Sequence, residues 1–232
     1  MTTNSLNEGK ELERLKKLKL LGRTIVDGIY FIEPQTSQYK TFQIDENNKI
    51  IIGDLDYHNS KQKFNIKYDN SQSCYFIQST ENELFLTCDN TNIHLTKKND
   101  SSNQKWHIIT DEDNKYEIIS EDNNNLIEGD ISFNGAKIFC QSRTGKSNQK
   151  FYFEPTNQFT YFPIPDFHSP YINEFSVVDG LKSIGEDSSQ GYRKLIGDIN
   201  GIKDQKLSPS YNTKMLDLLK SGKLIKPRKI IN

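Results

Sequence analysis

The sequence predicts a mainly-β protein of three repeats, each of four short strands, followed by a small three-helix α module. Two markers that keep one common period predict the repeats. A change of hydrophobic periodicity near residue 173 predicts the module. The first marker is Gln-Lys-aromatic: Lys61-Gln62-Lys63-Phe64-Asn65-Ile66, Asn103-Gln104-Lys105-Trp106-His107-Ile108 and Asn148-Gln149-Lys150-Phe151-Tyr152-Phe153, with glutamines 42 and 45 residues apart. The second opens each unit: Tyr30-Phe31-Ile32, Tyr75-Phe76-Ile77 and Tyr116-Glu117-Ile118, spaced 45 and 41.

Taken from the N-terminus, residues 1–23 form an amphipathic helical segment. Leu12, Leu15, Leu18, Leu20 and Leu21 alternate with Lys16, Lys17 and Lys19, and Gly22 marks the end. Packing on its own domain or on a partner is the favoured reading of such a segment over a membrane surface. Residues 24–155 hold the repeats, at about 27–69, 70–112 and 113–155. In the second repeat, strands are expected over 73–77, 84–87, 92–96 and 105–109, with turn chemistry at Asp89-Asn90-Thr91-Asn92 and over 99–103. Three units of four strands make twelve, the count of a β-trefoil: a six-stranded barrel capped by three hairpins. One unit alone cannot bury its aromatic face; three together can.

Residues 156–172 read as an extended aromatic linker. Phe159, Tyr161, Phe162, Phe167 and Tyr171 stand among Pro163, Pro165 and Pro170, which exclude regular helix. So many rings imply that it lies against the β region. The helical module spans 173–226. Phe175, Val178, Leu181 and Ile184 line a first helix stopped by Gly185; Tyr192, Leu195, Ile196 and Ile199 a second stopped by Gly201. Ser208-Pro209 opens a third, with Tyr211, Met215, Leu218 and Leu219 on its face and Gly222 as its stop. Residues 227–232 are a basic tail.

The thrice-repeated Gln-x-aromatic motif resembles that of the ricin-B lectin family, over about residues 27–155. The resemblance implies that Phe64, Trp106 and Phe151 pack at the core and that Gln62, Gln104 and Gln149 are buried hydrogen-bonders. It also implies a sugar site in each repeat. Such a site has an acidic residue on the second strand, a polar residue and an aromatic platform at the third strand or the loop after it, and an Asn just before the motif Gln. Carboxylate and amide then serve sugar hydroxyls while a ring stacks on the apolar sugar face. The match is incomplete in every repeat. The first has Lys61 for Asn and Gln43 near the acidic position, with Asp54, Asp56, Tyr57 and His58 in its long loop. The second keeps Asn103, places Thr87 at the acidic position with Asp89 two residues on, and has His94 on its third strand. The third keeps Asn148, has Glu128 with Asp130 nearby, and offers Gln141 with no clear exposed ring. The third is the first choice for a working site and the second the next.

The tail Val178-Asp179-Gly180-Leu181-Lys182-Ser183-Ile184-Gly185-Glu186-Asp187-Ser188-Ser189 through Asn212-Thr213-Lys214-Met215-Leu216-Asp217-Leu218-Leu219-Lys220-Ser221-Gly222-Lys223-Leu224 resembles small C-terminal modules of clostridial and phage cell-wall hydrolases. That resemblance implies wall attachment. The residues alone fit equally a helical cap or partner-docking module.

Charge narrows the partners. Residues 1–23 carry +3 and 203–232 carry +6, so 24–202 carry −10 of the net −1. An acidic middle argues against nucleic acid, since phosphate neutralisation needs a basic face. No secretory signal opens the chain and no apolar run spans a membrane, so an extracellular role implies lysis, a dedicated pore or another non-classical route, or a signal already removed. Cys74, Cys88 and Cys140 show no CxxC spacing; buried free thiols are expected, with a Cys74–Cys88 bridge open. No HExxH, GxSxG or GxGxxG pattern occurs. Gly145-Lys146-Ser147 lacks the upstream Gly of a phosphate-binding loop, and the histidines show no metal spacing. The expectation is a non-catalytic, lectin-like binder of cell-wall or cell-surface glycans that needs no cofactor. The alternative is a protein-interaction subunit of a toxin or phage assembly that uses the repeats as a scaffold.

Overall fold

The computed structural model describes residues 23–37, 39–110, 115–129 and 133–227. The expected N-terminal helix and basic tail fall outside them, apart from Arg23 and Pro227. The chain forms two compact units: Met1–Gly53 with Ser60–Thr156, and Asp54–Asn59 with Asn157–Asn232.

The first unit holds twelve strands among the described residues, four to a repeat. The first repeat gives β1 (Gly28–Pro34), β2 (Lys40–Ile44), β3 (Ile50–Asp54) and β4 (Phe64–Asp69). The second gives β5 (Cys74–Ser79), β6 (Phe85–Asp89), β7 (Asn92–Thr96) and β8 (Trp106–Thr110). The third gives β9 (Tyr116–Ser120), β10 (Leu126–Gly129), β11 (Ile138–Gln141) and β12 (Phe151–Pro155). The first and last strands of the repeats close a ring, β1–β4–β5–β8–β9–β12 and back to β1, antiparallel throughout. Each repeat's two middle strands pair as β2–β3, β6–β7 and β10–β11. A closed ring leaves no edge strand to recruit another chain.

The two sequence markers meet in this register. Tyr30 lies opposite Phe64, Tyr75 opposite Trp106 and Tyr116 opposite Phe151. Each motif aromatic also faces the following repeat's first strand: Phe64 faces Ser79, Trp106 faces Ser120, and Phe151 returns to Pro34. The motif lysines repeat the pattern through their carbonyls. Lys63, Lys105 and Lys150 accept from the amides of Thr80, Glu121 and Gln35 at 3.1, 2.9 and 2.8 Å. A 3-10 turn over Ser60–Gln62, Ser102–Gln104 or Ser147–Gln149 precedes each of these lysines. Phe64, Trp106 and Phe151 are fully buried in one core with Ile66, Ile77 and Ile118. Phe42 meets Phe64 and Phe151 edge-on at 6.4 and 5.2 Å, and the Trp106 indole donates to the Leu86 carbonyl at 3.0 Å. The Asn-rich stretches do turn work: Asn48, Asn90 and Asn124 take φ of 57°, 56° and 58°, a region Asn tolerates better than most residues.

None of the three cysteines is in a disulfide, and all are fully buried. Cys88 neighbours Cys140. The bond between the two thiols, which Cys140 donates, holds Cys88 below the ordinary thiol range, and with burial pushes Cys140 far above it. Maleimide labelling of the native chain is expected to leave all three unmodified until denaturant is added. Rapid labelling of the native state would contradict their burial.

The second unit contains α1 (Val177–Ser183), α2 (Gln190–Ile199) and α3 (Pro209–Lys220). Ser176, Ser189 and Ser208 cap them, each hydroxyl accepting from the amide three residues on at 3.2, 3.3 and 3.1 Å. Gly185, Gly201 and Gly222 end them at φ of 75°, 66° and 67°. The residue after each glycine reaches back to Leu181, Gly197 or Leu218, a Schellman closure. The core joins Phe162, Leu181, Ile196, Tyr211, Met215 and Leu219.

Two expectations are corrected here. The aromatic segment after the repeats belongs to this second unit, not to the β region. Phe162 is buried in the helical core, with its amide on the Leu224 carbonyl at 2.9 Å. Phe175 is not on the first helix. The Ser176 cap starts α1 after it, leaving Phe175 79% exposed while Val177, Gly180 and Leu181 form the buried face. The loop of the first repeat is likewise claimed by this unit. The Tyr57 amide donates to Ile199 at 2.9 Å, its ring lies 4.8 Å from that of Phe159, and Asp56 pairs with Lys203. No helix among the described residues is long and apolar enough to cross a membrane.

Candidate functional site

The motif glutamine organises every repeat from inside. Gln62, Gln104 and Gln149 are at most 1% exposed. Gln149 accepts from the Thr144 amide at 2.8 Å and donates to the Ser142 carbonyl at 3.0 Å. Gln104 accepts from the Asn99 amide at 2.9 Å and donates to the Lys97 carbonyl at 2.9 Å. Each side-chain amide also reaches the second strand: Gln62 donates to Gln43 at 2.8 Å, Gln104 to Thr87 at 3.1 Å and Gln149 to Glu128 at 2.9 Å. The three residues at the acidic position are thus tied down by the motif, because a buried amide needs acceptors.

This decides what Glu128 can do. Its two oxygens accept from Asn148 and Gln149, both at 2.9 Å, and it is 8% exposed. Buried as well as engaged, this carboxylate presents almost no surface to an incoming hydroxyl. Gln141 stands exposed at the end of β11, opposite Leu126. Among the described residues no hydrogen bond joins it to Glu128 or Asn148. Asp130 lies outside the described residues. The sequence missed Phe139, the cross-strand partner of Glu128, which is half-buried. The alternation Ile138-Phe139-Cys140 was the available signal: two buried neighbours send Phe139 to the other face.

The second repeat is arranged differently. Thr87 occupies the position of Glu128, so Gln104 is satisfied by two hydroxyls, those of Thr87 and Thr96 at 3.1 and 2.8 Å. The acidic residue sits two positions on, at the end of β6. Asp89 accepts from Asn103 at 2.7 Å on one oxygen and lies 3.2 Å from the His94 ring on the other. Its side chain is 54% exposed and that of His94 30%. The β6–β7 register explains the meeting: Thr87 faces His94, and Asp89 faces Asn92 across a tight turn. Asp89, His94 and Asn103 therefore form one surface cluster of carboxylate, imidazole and amide.

Among the described residues the first repeat brings no such carboxylate, imidazole and amide together. Lys61 replaces the Asn, and Asp45, two residues beyond Gln43, is engaged by the amides of Asn47 and Lys49, both at 2.8 Å. Of the remaining histidines, His107 is buried on β8 and 3.1 Å from Glu121. Among the described residues no group of three or more His, Cys, Asp or Glu is placed to hold a metal ion.

Solved structures share this fold. The chain is similar to part of a mosquitocidal holotoxin, at 19% identity over 59% of this chain and 18% of that one, with TM-score 0.54. It is similar to part of a family 43 β-1,3-galactosidase, at 21% identity over 61% of this chain and 30% of that one, with TM-score 0.51. It is also similar to the cytolethal distending toxin of Haemophilus ducreyi, at 8% identity over 59% of this chain and 90% of that one, with TM-score 0.50. The match therefore spans under a third of the first two proteins. No family model matches the chain, and no curated protein matches its sequence. At these identities the likeness speaks for the fold alone, and the chemistry of any site has to come from its residues.

Proposed function

We propose that this chain is a non-catalytic, lectin-like protein. On this reading the first unit is a β-trefoil of the ricin-B type that binds a glycan at its second repeat, through Asp89, His94 and Asn103. The exposed Asp89 carboxylate, oriented by Asn103, is the observation that carries it. Vicinal sugar hydroxyls can donate to the carboxylate while the amide and imidazole complete the set. The third repeat, with Glu128, Gln141, Asn148 and Asp130, is the lesser site because Glu128 is 8% exposed, against 54% for the Asp89 side chain. The helical unit is the candidate for attachment to cell-wall polysaccharide. The acidic region over 24–202 favours neutral or cationic glycans over nucleic acid.

A glycan array with the full chain tests this. Binding to at least one glycan is expected, reduced about tenfold or more by Asp89→Ala and by Asn103→Ala. Truncating Asn148 is expected to change it less. Glycan binding indifferent to both Asp89 and Asn103 would overturn the assignment. The second reading, a protein-interaction subunit on a scaffold with vestigial sugar sites, draws on the first and third repeats, whose acidic positions are turned inward. It predicts no glycan signal and a stable complex with another protein.

A further inference from the structure

We propose a second saccharide site on the outer face of β4, β5 and β6, independent of the motif glutamines and of Asp89. Register defines the face. Phe64, Ile66 and Ile77 point into the core, so Asn65 and Lys67 on β4, and Phe76 and Gln78 on β5, point outward. Gln78 in turn faces Phe85 on β6. These side chains, with Tyr68, line a groove of about 480 Å³. That lies within the roughly 300–1,000 Å³ typical of small-ligand sites.

The groove's composition is not the same in every repeat. Phe76 and Phe85 stand edge-to-face, 6.1 Å between centroids, on the outer side of the sheet. The third repeat places Glu117 where the second has Phe76, and Glu117 pairs with Arg143. The fold therefore accepts a charged pair at that position; the first repeat has the fully buried Phe31 there and Phe76 is itself 6% exposed, so the half-buried Phe85 is the ring that a ligand can reach. An aromatic wall bordered by amides suits one chemical class. The apolar face of a pyranose stacks on a ring, while Asn65 and Gln78 serve its hydroxyls. Gln78 already donates to the Glu83 carbonyl at 2.9 Å, which points its oxygen to the role of acceptor.

The charges favour a neutral sugar. Asp69 is spent on its own turn, accepting from the Ser71 amide and hydroxyl at 2.8 and 2.6 Å and from the Gln72 side chain at 3.0 Å. Those donors hold its pKa at about 2. Lys98 is balanced by Asp100 at 2.9 Å and rests 4.9 Å above the Phe76 ring. It covers that ring, so a sugar stacked on Phe76 would have to displace it. Lys67 remains as an exposed donor at the rim. The groove thus takes one or two neutral pyranose rings.

The test is a ¹H–¹⁵N NMR titration of the full chain with lactose, cellobiose and N,N′-diacetylchitobiose, each to millimolar concentration. At least one disaccharide is expected to shift the amides of residues 65–71, 76–78 and 85. The same shifts are expected in Asp89→Ala, which separates this site from the one proposed in the second repeat. Phe85→Ala is expected to weaken these shifts about tenfold. Asn65→Ala, at a half-buried surface position, should act in the same direction even if the ring variant folds poorly. Three sugars that leave these amides unmoved would overturn the proposal, as would shifts confined to residues 89–103. In the latter case the reading of the second repeat would stand.

Discussion

Replacing Trp106 by alanine is expected to cost the first unit about 3–5 kcal/mol, close to the whole stability margin of a domain this size. The side chain is fully buried and is the only tryptophan. It faces Tyr75 on one neighbouring strand and Ser120 on the other, so its loss opens a cavity where two repeats meet. Alanine also strands the Leu86 carbonyl, which the indole serves at 3.0 Å; an unsatisfied buried acceptor costs about 1–3 kcal/mol. Trp106→Phe should cost less, because Phe64 and Phe151 already fill the corresponding positions in the other repeats, although it still strands the Leu86 carbonyl. Urea unfolding followed by circular dichroism measures both. An alanine variant within about 1 kcal/mol of the parent would show that this ring is not at the centre of a shared core.

The repeats were legible because their demands are local and recur. A buried Gln must satisfy its amide, and an aromatic must face the opening Tyr of its own repeat; both fix spacing in the sequence. Strand ends in the second repeat came within two residues of the expectation for the same reason. The division of labour among carboxylates was not legible. Glu128 and Thr87 sit at one structural position, yet one is an acid and the other a hydroxyl, and both serve the motif Gln. Only the side-chain hydrogen bonds show that the surface acid of the second repeat is Asp89. The aromatic segment over 156–172 misled in another way. It has rings but no period, so nothing in it states which surface receives them; Phe162 enters the helical core while Tyr171 stays 94% exposed. The helices were read well where a serine, a stripe and a glycine agreed, and less well at Phe175, where the stripe overran the Ser176 cap.

Gly197→Ala is expected to disrupt the helical unit by about 3 kcal/mol or more. A Cβ at this position of α2 would lie 1.6 Å from the Tyr211 hydroxyl and 2.1 Å from the ring carbon that bears it. Neither can shift cheaply. Tyr211 is fully buried on α3, and its hydroxyl donates to one of two carbonyls of α2, Arg193 at 3.1 Å and Lys194 at 3.0 Å. The added methyl therefore expels the ring, and the unit loses the burial of its largest aromatic along with that bond. Burial also pushes the Tyr211 pKa to about 12, above the ordinary 10. A raised folded-state pKa means that this contribution is intact below pH 10 and fades as pH climbs through about 12. In Gly197→Ala the expelled phenol should ionise near its ordinary value, which ultraviolet titration reads directly. A double-mutant cycle isolates the cause: once Tyr211→Ala has removed the ring, Gly197→Ala should cost almost nothing further. Additive losses in the cycle would mean that the glycine is needed for something other than room for Tyr211.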